Sequence, residues 1–541
     1  MVRSRALWWA TFVVSLSSCP GPVGPSTCEP STCTGCCTMD GRCEPGDDTL
    51  ACGARASACA VCSGAETCVG GRCSRLGAGG GSAGGGDAGG GAGTTGGGSA
   101  GGGDAGGGAG TTGGGSTGGG AAGGGGVAGG SAQPQPEWVL DPGLTANELG
   151  VLVNEADPIS VAVAARYVTA RSIPVRNVVR LTFDAGTSTT LSAQAFAPLK
   201  AIADAQGEDA GVQAWVVTWT RPYRVDCMSL GTAFAVGFDA GFCSTPCAPT
   251  TGLSTFDDEG LTDAGPSHRF FDRLRIRPTM MLASNGADAG VAFSTIAQGL
   301  AADDSFPSGE GFFVRTTDMA RSVRWPEWVS VTMPQWADGG LTLSYVDGSM
   351  GGPQALVDAG PVLFYFQSSA SVPSIATNQY LPGAVADHLT SFGGQVPTSG
   401  QMSQLRWLEA GATASYGTVV EPCNFTTKFP NTTVLLSHYF RGEPIIEAYW
   451  KSVRMPGEGL FTGEPLARPW GAQLTTWDAT SRTLGLTTTH LKPGLRYAID
   501  SAPTRQGPWT RVRLNVSVPR HGRTTITVPG ATEPFYRLVR Y

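Results

Sequence analysis

The stretch Val362-Leu363-Phe364-Tyr365-Phe366 decides the fold that we predict for this chain of 541 residues. These consecutive apolar residues are bounded by Pro361 and Gln367, which is typical of a strand that is buried on both faces. A helical pattern over Met402–Ala410 and a second apolar run at Ser415–Val420 follow. A strand, a helix and a strand in that order predict neighbouring parallel strands covered by helices.

The same alternation extends over residues 136–470, which we predict to be the main domain. The predicted fold class is therefore α/β, with a doubly wound and mostly parallel sheet. Predicted strands lie at Leu149–Val153, Val178–Phe183, Val212–Thr218, Thr279–Ala283, Phe312–Arg315, Val362–Phe366 and Ser415–Val420. Predicted helices lie at Pro158–Arg171, Ser192–Asp204, Ala292–Ala302, Met402–Ala410, Thr432–Phe440 and Pro444–Val453.

Residues 1–19 have the features of an export signal. Arg3 and Arg5 precede an apolar segment at Ala6–Leu16, and the sequence Ser17-Ser18-Cys19 follows. A cysteine after two small residues resembles the bacterial lipobox, in which that cysteine becomes the lipid-bearing N-terminus. We therefore predict lipidation of Cys19 and an exported protein, anchored through its lipid at the outer membrane or cell surface. A plain secretory signal is the alternative.

Two segments of unusual composition separate this signal from the main domain. Residues 20–76 contain ten cysteines between Cys28 and Cys73 but few large apolar side chains, so cross-links must replace a core. We predict a disulfide-rich module there, as is common in exported proteins. Residues 77–135 are rich in glycine and repeat one sequence at Gly79–Thr95 and Gly96–Thr112, which is typical of a flexible linker.

Residues 471–541 change in character. Polar and apolar residues alternate, for example in Arg511-Val-Arg-Leu-Asn-Val516 and Thr524-Thr-Ile-Thr-Val528. Alternation of this kind over several short segments predicts a small β-sandwich, which we interpret as an accessory domain.

The composition and the motifs exclude several classes of partner and cofactor. The formal net charge of −7 argues against a nucleic-acid-binding protein, which is usually basic. Neither a convincing set of metal ligands nor a phosphate-binding loop is present in the main domain, and the Gly-x-Ser-x-Gly motif is missing. We therefore expect no metal, no cofactor and no nucleic-acid partner.

Polar side chains follow the predicted strands, at the points where a doubly wound sheet binds its ligands. Asn154 and Asp157 come after the first strand, and Arg221 and Arg224 come after the third. We predict that these four residues bind the substrate. We also expect them to share one cleft with the polar residues that follow the strands near 362–366 and 415–420.

The second group offers the chemistry of a cysteine hydrolase. His388 follows the strand at 362–366, and Cys423 follows the strand at 415–420. A Cys–His dyad needs a thiolate nucleophile and an imidazole that takes up its proton. We predict Cys423 as the nucleophile and His388 as the base, with Asp387 or Glu421 orienting the imidazole.

Three alternatives to this dyad are open. Cys227, Cys243 and Cys247 also lie in the main domain, and a disulfide with any of them would remove Cys423 as a nucleophile. Cys423 can also be a buried apolar thiol, and His388 can be a histidine of the core.

Several motifs resemble those of a functionally uncharacterised bacterial family that occurs in genomes carrying exosortase, a surface-protein sorting enzyme. The likeness spans residues 149–469. It is carried by Leu381-Pro-Gly-Ala-Val-Ala-Asp-His-Leu-Thr-Ser-Phe-Gly-Gly394, Gly417-Thr-Val-Val-Glu-Pro-Cys-Asn424 and Gly463-Glu-Pro-Leu-Ala-Arg-Pro469, with shorter motifs at 164–181 and 219–223.

The order strand, His, helix, strand, Cys distantly resembles cysteine peptidases of the caspase and gingipain type. The gingipain-type histidine lies in a Gly-His-Gly turn directly after its strand, whereas His388 comes well after Phe366. This resemblance implies a caspase-like sheet and a cysteine peptidase that acts on surface proteins or peptides. The alternative is a non-catalytic cell-surface protein that binds peptide or glycan, or serves as a scaffold.

Overall fold

The computed structural model describes residues 135–541 apart from 142, 185, 243–246 and 260–269. Nearer the N-terminus it describes residues 33–37, 43–44, 47–48, 51–54, 57–60, 66–69 and 72–75. The predicted signal peptide with Cys19, and nearly all of the predicted linker, lie outside the described residues. The chain divides into two compact units, Met1–Gly123 and Gly124–Tyr541.

The N-terminal unit contains the cross-links that its cysteines predict. Disulfides join Cys33 to Cys43, Cys36 to Cys59 and Cys52 to Cys68. Each bridge has one buried cysteine, namely Cys33, Cys36 or Cys52. The disulfides themselves therefore occupy the interior of this unit. The strands are β1 (Cys36–Cys37), β2 (Cys43–Glu44), β3 (Asp47–Asp48), β4 (Ala51–Cys52), β5 (Ser57–Ala58), β6 (Glu66–Val69) and β7 (Arg72–Arg75).

The second unit alternates strands and helices up to about residue 463 and then continues as strands alone. Its first strands are β8 (Glu137–Trp138), β9 (Leu149–Asn154), β10 (Val178–Leu181), β11 (Thr190–Leu191), β12 (Ala214–Val217), β13 (Arg224–Val225), β14 (Met228–Ser229), β15 (Thr279–Met281), β16 (Glu310–Arg315), β17 (Thr342–Asp347), β18 (Val362–Gln367), β19 (Tyr380–His388), β20 (Ala414–Thr418) and β21 (Gly459–Gly463). The last strands are β22 (Leu474–Asp478), β23 (Thr483–Thr488), β24 (Tyr497–Ala502), β25 (Thr510–Val516), β26 (Thr524–Val528) and β27 (Phe535–Arg540).

Four helices of the second unit begin at a residue whose side chain caps the first turn, namely Asp157, Ser192, Ser229 and Asn431. In the first of them, Asp157 accepts a hydrogen bond from the Ile159 amide, Pro158 is the first helical residue, and Ser172 ends the helix in the left-handed conformation. The helices are α1 (Pro158–Arg171), α2 (Ala193–Ala210), α3 (Leu230–Val236), α4 (Phe270–Leu274), α5 (Gly290–Ala302), α6 (Trp325–Glu327), α7 (Met333–Trp336), α8 (Leu405–Glu409), α9 (Thr432–Phe440) and α10 (Ile445–Ser452).

A sheet of ten strands forms the centre of this unit, and the predicted α/β class with a mostly parallel sheet is confirmed. The strand order is β10-β9-β12-β15-β21-β20-β19-β18-β16-β17. The five strands from β10 to β21 are parallel to one another, and so are the five from β20 to β17. Only β20 and β21 pair antiparallel. The sheet therefore consists of two parallel halves that run in opposite directions.

Helices cover both faces of the sheet because the strands are apolar on both sides. Along β9, Val151 and Val153 belong to the apolar cluster that includes residues of α1, α5, α9 and α10. Leu152 faces the other way, into a cluster with α2, α3 and α8. This alternation of side chains along one buried strand produces a three-layer arrangement.

Three strands of the central sheet were missed by the sequence prediction, namely β17, β19 and β21. In β19 the sequence begins Tyr380-Leu-Pro-Gly383, and both proline and glycine are unfavourable inside strands. The register between β18 and β19 shifts between Val362 and Phe364, so the two residues fall at an irregularity where they are tolerated. His388 is thus the last residue of β19, a strand that the sequence did not predict between the strand at 362–366 and the helix at Met402–Ala410.

The C-terminal strands form two further sheets that share one apolar cluster. One sheet has the order β22-β23-β26, and the other has the order β25-β24-β27-β8. Their common cluster includes Leu486 and Ile526 from the first sheet, and Ile499 and Tyr536 from the second. Strand β8 at Glu137–Trp138 pairs with β27, so the first residues of the predicted main domain, which we placed at 136–470, belong instead to this C-terminal pair of sheets. Among the described residues, no helix is long and apolar enough to cross a bilayer.

Candidate functional site

The residues that we expected in one cleft lie at opposite edges of the central sheet. Asn154 ends β9, whereas His388 ends β19 and Cys423 follows β20. Because β20 and β21 pair antiparallel, the carboxyl ends of one half of the sheet lie beside the amino ends of the other half. The prediction of a single cleft is therefore wrong, and each edge is described separately.

Cys423 is not a free thiol in this structure. Its sulfur forms a disulfide with Cys247, at a Cα–Cα distance of 5.1 Å. A sulfur in a disulfide has no thiolate to attack a carbonyl carbon, so the contacts contradict the assignment of Cys423 as a nucleophile. The disulfide alternative that the sequence left open is the one observed. Glu421 accepts a hydrogen bond from the Cys423 amide through Oε1 at 2.8 Å, and so holds the turn rather than an imidazole.

His388 is equally unsuited to act as a base. His388 is only 1% exposed, and both nitrogens of its ring make hydrogen bonds within the protein. The Trp407 indole donates to Nδ1 at 3.0 Å, and Nε2 lies 3.1 Å from the carbonyl oxygen of Met402. An indole only donates and a carbonyl only accepts, so the neutral ring carries its proton on Nε2. Burial lowers the pKa of His388 to about 3, which leaves the ring neutral at physiological pH.

Asp387 lies next to His388 in β19 but interacts elsewhere. Its Oδ1 accepts a hydrogen bond from Arg324 Nη2 at 2.7 Å, and both side chains are 1% exposed. Burial raises the pKa of Asp387, and the Arg324 guanidinium opposes that rise. Successive residues of a strand point to opposite faces, so Asp387 cannot orient the His388 ring. The side chains of the four residues predicted to be catalytic, Cys423, His388, Asp387 and Glu421, therefore interact with different partners and not with one another.

A cavity of about 220 Å³ lies at this edge, with Cys423 in its wall. Arg321 is the cation in the wall, and it already bonds Asp318 through Nη1 at 2.6 Å and Thr390 through Nε at 3.2 Å. Glu421 is engaged by the Cys423 amide. The charged groups around this cavity thus have partners within the protein.

The opposite edge carries a second cavity, of about 240 Å³, that we call the strand-end pocket. It lies where β9, β10, β12 and β15 end, which is the usual ligand position in a parallel sheet. Its wall includes three of the four residues predicted to bind substrate, Asn154, Asp157 and Arg221. Asp184, Thr220 and Ser284 belong to it as well.

Two of the predicted residues shape the strand-end pocket through contacts with the backbone. Asn154 is 2% exposed, and its Oδ1 accepts hydrogen bonds from the amides of Ala156 and Phe183, at 3.2 and 3.3 Å. Asp157 Oδ1 accepts from the Ile159 amide at 2.9 Å and caps α1. The prediction that these two residues lie at a cleft is therefore consistent with their position in the pocket wall. Their side chains also stabilise the backbone after β9 and β10.

Arg221 is the unusual group in the pocket. Its Nε is shielded from solvent and has no hydrogen-bond acceptor. Within the described part of the chain, no ion pair or side-chain hydrogen bond includes Arg221, and no ion pair includes Asp157 or Asp184. A cation and two carboxylates therefore share one small cavity without neutralising one another.

Arg224 lies outside the strand-end pocket, so its predicted role in binding has no support from the geometry. Its Nε donates to Thr190 Oγ1 at 2.6 Å, and this bond joins β13 to β11. The pocket also contains three residues that we did not predict from the sequence, namely Asp184, Thr220 and Ser284. These residues also follow predicted strands, so the rule that identified Asn154 would have found them had it been applied to every strand.

A third group of polar residues lies between α9 and the C-terminal sheets. Ligand atoms of Asp257, Glu259 and His438 lie within 4.8 Å of one another, as metal ligands do. Cations already fill this position, because Arg441 binds both oxygens of Glu259 at 2.8 and 2.9 Å and Lys492 binds Glu259 at 2.5 Å. Burial opposes ionisation of Glu259, but these cations and His438 outweigh it and hold its pKa well below the usual value. We interpret the group as an ion-pair network rather than a metal site.

No family model, no curated protein and no solved structure matches this chain. We therefore infer the function from the geometry at the two edges of the sheet.

Proposed function

We propose that this chain is an exported, non-catalytic binding protein, and that its strand-end pocket holds a small zwitterion such as a free amino acid or the end of a short peptide. The observation that carries the proposal is Arg221, whose Nε is shielded and has no acceptor, in a cavity that also contains the carboxylates of Asp157 and Asp184. Both carboxylates accept a hydrogen bond from a backbone amide, but neither has an ion pair with a described residue. A guanidinium offers the planar pair of donors that a ligand carboxylate requires. Asp157 and Asp184 offer the negative charge that a ligand ammonium requires.

The size of the cavity limits the ligand. Sites for drug-sized molecules usually span about 300–1,000 Å³. A cavity of about 240 Å³ is smaller and fits one or two amino-acid residues. Free amino acids and peptide ends share the zwitterionic chemistry, and the experiment below separates them.

The proposal keeps several features that the sequence predicts. Export and a lipid anchor at Cys19 would hold the protein at the outer membrane or cell surface, where peptides and surface proteins are its expected partners. The disulfides are typical of such a compartment. We further propose that the two C-terminal sheets pack as a small β-sandwich, which their common apolar cluster supports.

A cysteine peptidase of the caspase type is the second candidate, at the other edge of the sheet. Its support is the position of Cys423 after β20 and in the wall of a cavity. This function would require reduction of the bond to Cys247 and a base other than His388, whose ring nitrogens are both engaged. The strand-end pocket needs no such rearrangement, and we therefore favour binding.

The test is equilibrium binding of the full chain to a panel of alanyl dipeptides (Ala-Ala, Ala-Glu, Ala-Lys and Ala-Phe), measured by calorimetry. Free alanine forms a second arm, and N-acetyl-Ala-Ala-amide, which lacks both charges, forms a third. We expect binding of a zwitterion and none of the blocked peptide. Tighter binding of a dipeptide than of alanine identifies a peptide end as the ligand, and the reverse identifies a free amino acid.

Two variants make this test specific. Arg221→Gln should weaken binding roughly ten- to hundred-fold, because a charge-assisted hydrogen bond contributes about 1.5–3 kcal/mol. Arg224→Gln removes the same charge from the neighbouring strand β13, outside the pocket, and should leave binding unchanged. Binding of the blocked peptide as tightly as the zwitterions, or equal losses in the two variants, would contradict the proposal, as would no binding by any probe.

A further inference from the structure

The C-terminal part of the chain has a charge opposite to that of the rest. Residues 471–541 contain nine arginines and one lysine but only two aspartates and one glutamate, a formal net charge of +7. Since the whole chain carries −7, residues 1–470 carry −14. The whole-chain charge conceals this asymmetry, which a count by domain would have found.

Part of this positive charge lies in one row across three neighbouring strands. In the sheet β25-β24-β27-β8, Asp500 of β24 is paired in register with Arg511 of β25 and with Arg537 of β27. Arg511 Nε bonds Asp500 at 2.9 Å, and Arg537 Nη2 lies 3.4 Å from the same carboxylate. One buried carboxylate therefore orients two guanidiniums, and the row keeps a net positive charge.

Aromatic rings flank this row on both sides. The ring of Trp509 lies over the Arg537 guanidinium with 4.4 Å between the guanidinium carbon and the ring centroid, and Tyr541 lies 5.5 Å from Arg511 in the same way. Tyr541 is 51% exposed, and hydrogen bonds between its hydroxyl and Asn515 fix the ring. An ordered aromatic ring beside oriented guanidiniums can receive the apolar face of a sugar ring while the cations bind its acid group.

The surface around this row is open and carries more positive charge. Strand β25 is an edge strand, and Val512 and Leu514 on it are each 51% exposed. Arg513 donates to the carbonyl oxygen of Thr527, and no ion pair with a described residue neutralises it. Arg520 is exposed and likewise has no ion pair within the described part of the chain.

We propose that this surface, defined by Trp509, Arg511, Arg537 and Tyr541, binds an acidic polysaccharide. Planar guanidiniums bind uronate carboxylates through paired hydrogen bonds. The flanking aromatic rings can stack on sugar rings, and they therefore favour a polysaccharide over a polyanion without sugar rings. Nucleic acid is also a polyanion, but the disulfides indicate an extracytoplasmic protein, whose surroundings are rich in polysaccharide. This inference is independent of the strand-end pocket.

The experiment measures binding of the full chain to polygalacturonate, with neutral dextran and double-stranded DNA of similar length as the other arms. We expect binding to polygalacturonate in 50 mM salt, a loss of at least ten-fold in affinity at 300 mM salt, and no binding to dextran. The salt dependence follows from the release of counterions by a polyanion. Absence of binding to polygalacturonate, or tighter binding to DNA, would overturn the proposal.

Variants locate the surface. Arg511→Gln leaves Arg537 to pair with Asp500, and we expect it to weaken polygalacturonate binding at least five-fold. Tyr541→Ala should weaken it without changing the net charge or the salt dependence. Arg505→Gln is the matched control, because Arg505 pairs with Glu137 on β8, at the opposite edge of the same sheet. Equal losses in Arg505→Gln and Arg511→Gln would contradict this location, and the unfolding temperature of each variant separates lost binding from lost folding.

Discussion

The two halves of the central sheet end in surfaces of different kinds. At the carboxyl ends of β9, β10, β12 and β15, the strand-end pocket leaves Arg221 without an acceptor. At the carboxyl ends of β19 and β20, Cys423 is bonded to Cys247, and both nitrogens of His388 are hydrogen-bonded. Polar groups that are satisfied within the protein stabilise its fold, whereas an unsatisfied cation in a cavity is available to a ligand. The cysteine and histidine that the sequence predicts to be catalytic therefore stabilise the fold. We call the edge of the sheet at the carboxyl ends of β19 and β20, where they lie, the structural edge.

The largest effect that we expect comes from the disulfide of the structural edge. The bond closes a loop with a sequence separation of 176 residues. Replacing both cysteines, as Cys247→Ser/Cys423→Ser, should lower the free energy of unfolding by about 3–5 kcal/mol, because a cross-link over a long loop restricts the unfolded chain. Urea denaturation measures this change. An unchanged free energy of unfolding would show that this edge does not depend on the bond.

A pH titration of stability tests whether His388 is structural. The pKa of His388 is lowered by burial to about 3 in the folded chain, against about 6.5 when unfolded. The unfolded chain therefore binds a proton that the folded chain does not, and stability falls as the pH drops from about 6.5 towards 3. His388 alone should contribute a loss of about 3 kcal/mol between pH 6.5 and pH 4.

The control for this titration is His388→Gln. This variant is less stable at pH 7, because Trp407 and Met402 lose hydrogen-bond geometry, but it should show a shallower fall in stability at acid pH. His490 and His521, whose pKa values burial lowers to about 4 and about 3, contribute further slope in the variant and in the unaltered protein, and so does Glu259, whose pKa the cations around it hold below the usual value. A slope equal to that of the unaltered protein would contradict the assignment of His388 to the core.

The smallest effect on stability is expected at Asp157, where the helix cap and the proposed ligand contact can be separated. Asp157→Asn keeps an acceptor for the Ile159 amide, so the unfolding temperature should stay within a few degrees. The same variant removes a negative charge from the strand-end pocket and should weaken dipeptide binding several-fold. Asp157→Ala should also lose about 1 kcal/mol of stability. Full binding by Asp157→Asn would exclude this carboxylate as a ligand contact.

Local patterns in the sequence were sufficient for the strands that are apolar throughout. β9 and β18 were predicted almost to the residue, because uninterrupted apolar runs are bounded by turn-forming residues. β19 was missed because Pro382 and Gly383 oppose a strand locally, and its pairing with β18 outweighs that preference. Only tertiary context decides such a case.

The candidate site was predicted only in part because its geometry depends on a long-range reversal. The strands β20 and β21, which are separated by α9 and α10, pair antiparallel, so the second half of the sheet points its carboxyl ends the other way. The number of helices does not predict this reversal, because α3 and α4 lie between β12 and β15, which pair parallel. Asn154, Asp157 and Arg221 were found because they share one half of the sheet. The bond between Cys247 and Cys423 has no local signal, since a cysteine carries no information about its distant partner.

The dissociation constant of the alanyl dipeptide that binds most tightly, measured for three forms of the protein, distinguishes the two edges of the sheet. We expect Cys247→Ser/Cys423→Ser to bind the dipeptide as tightly as the unaltered protein at a temperature where both are folded. We expect Arg221→Gln to bind it at least ten-fold more weakly. If the cysteine variant loses binding while Arg221→Gln retains it, the functional site lies at the edge that we assign to structure.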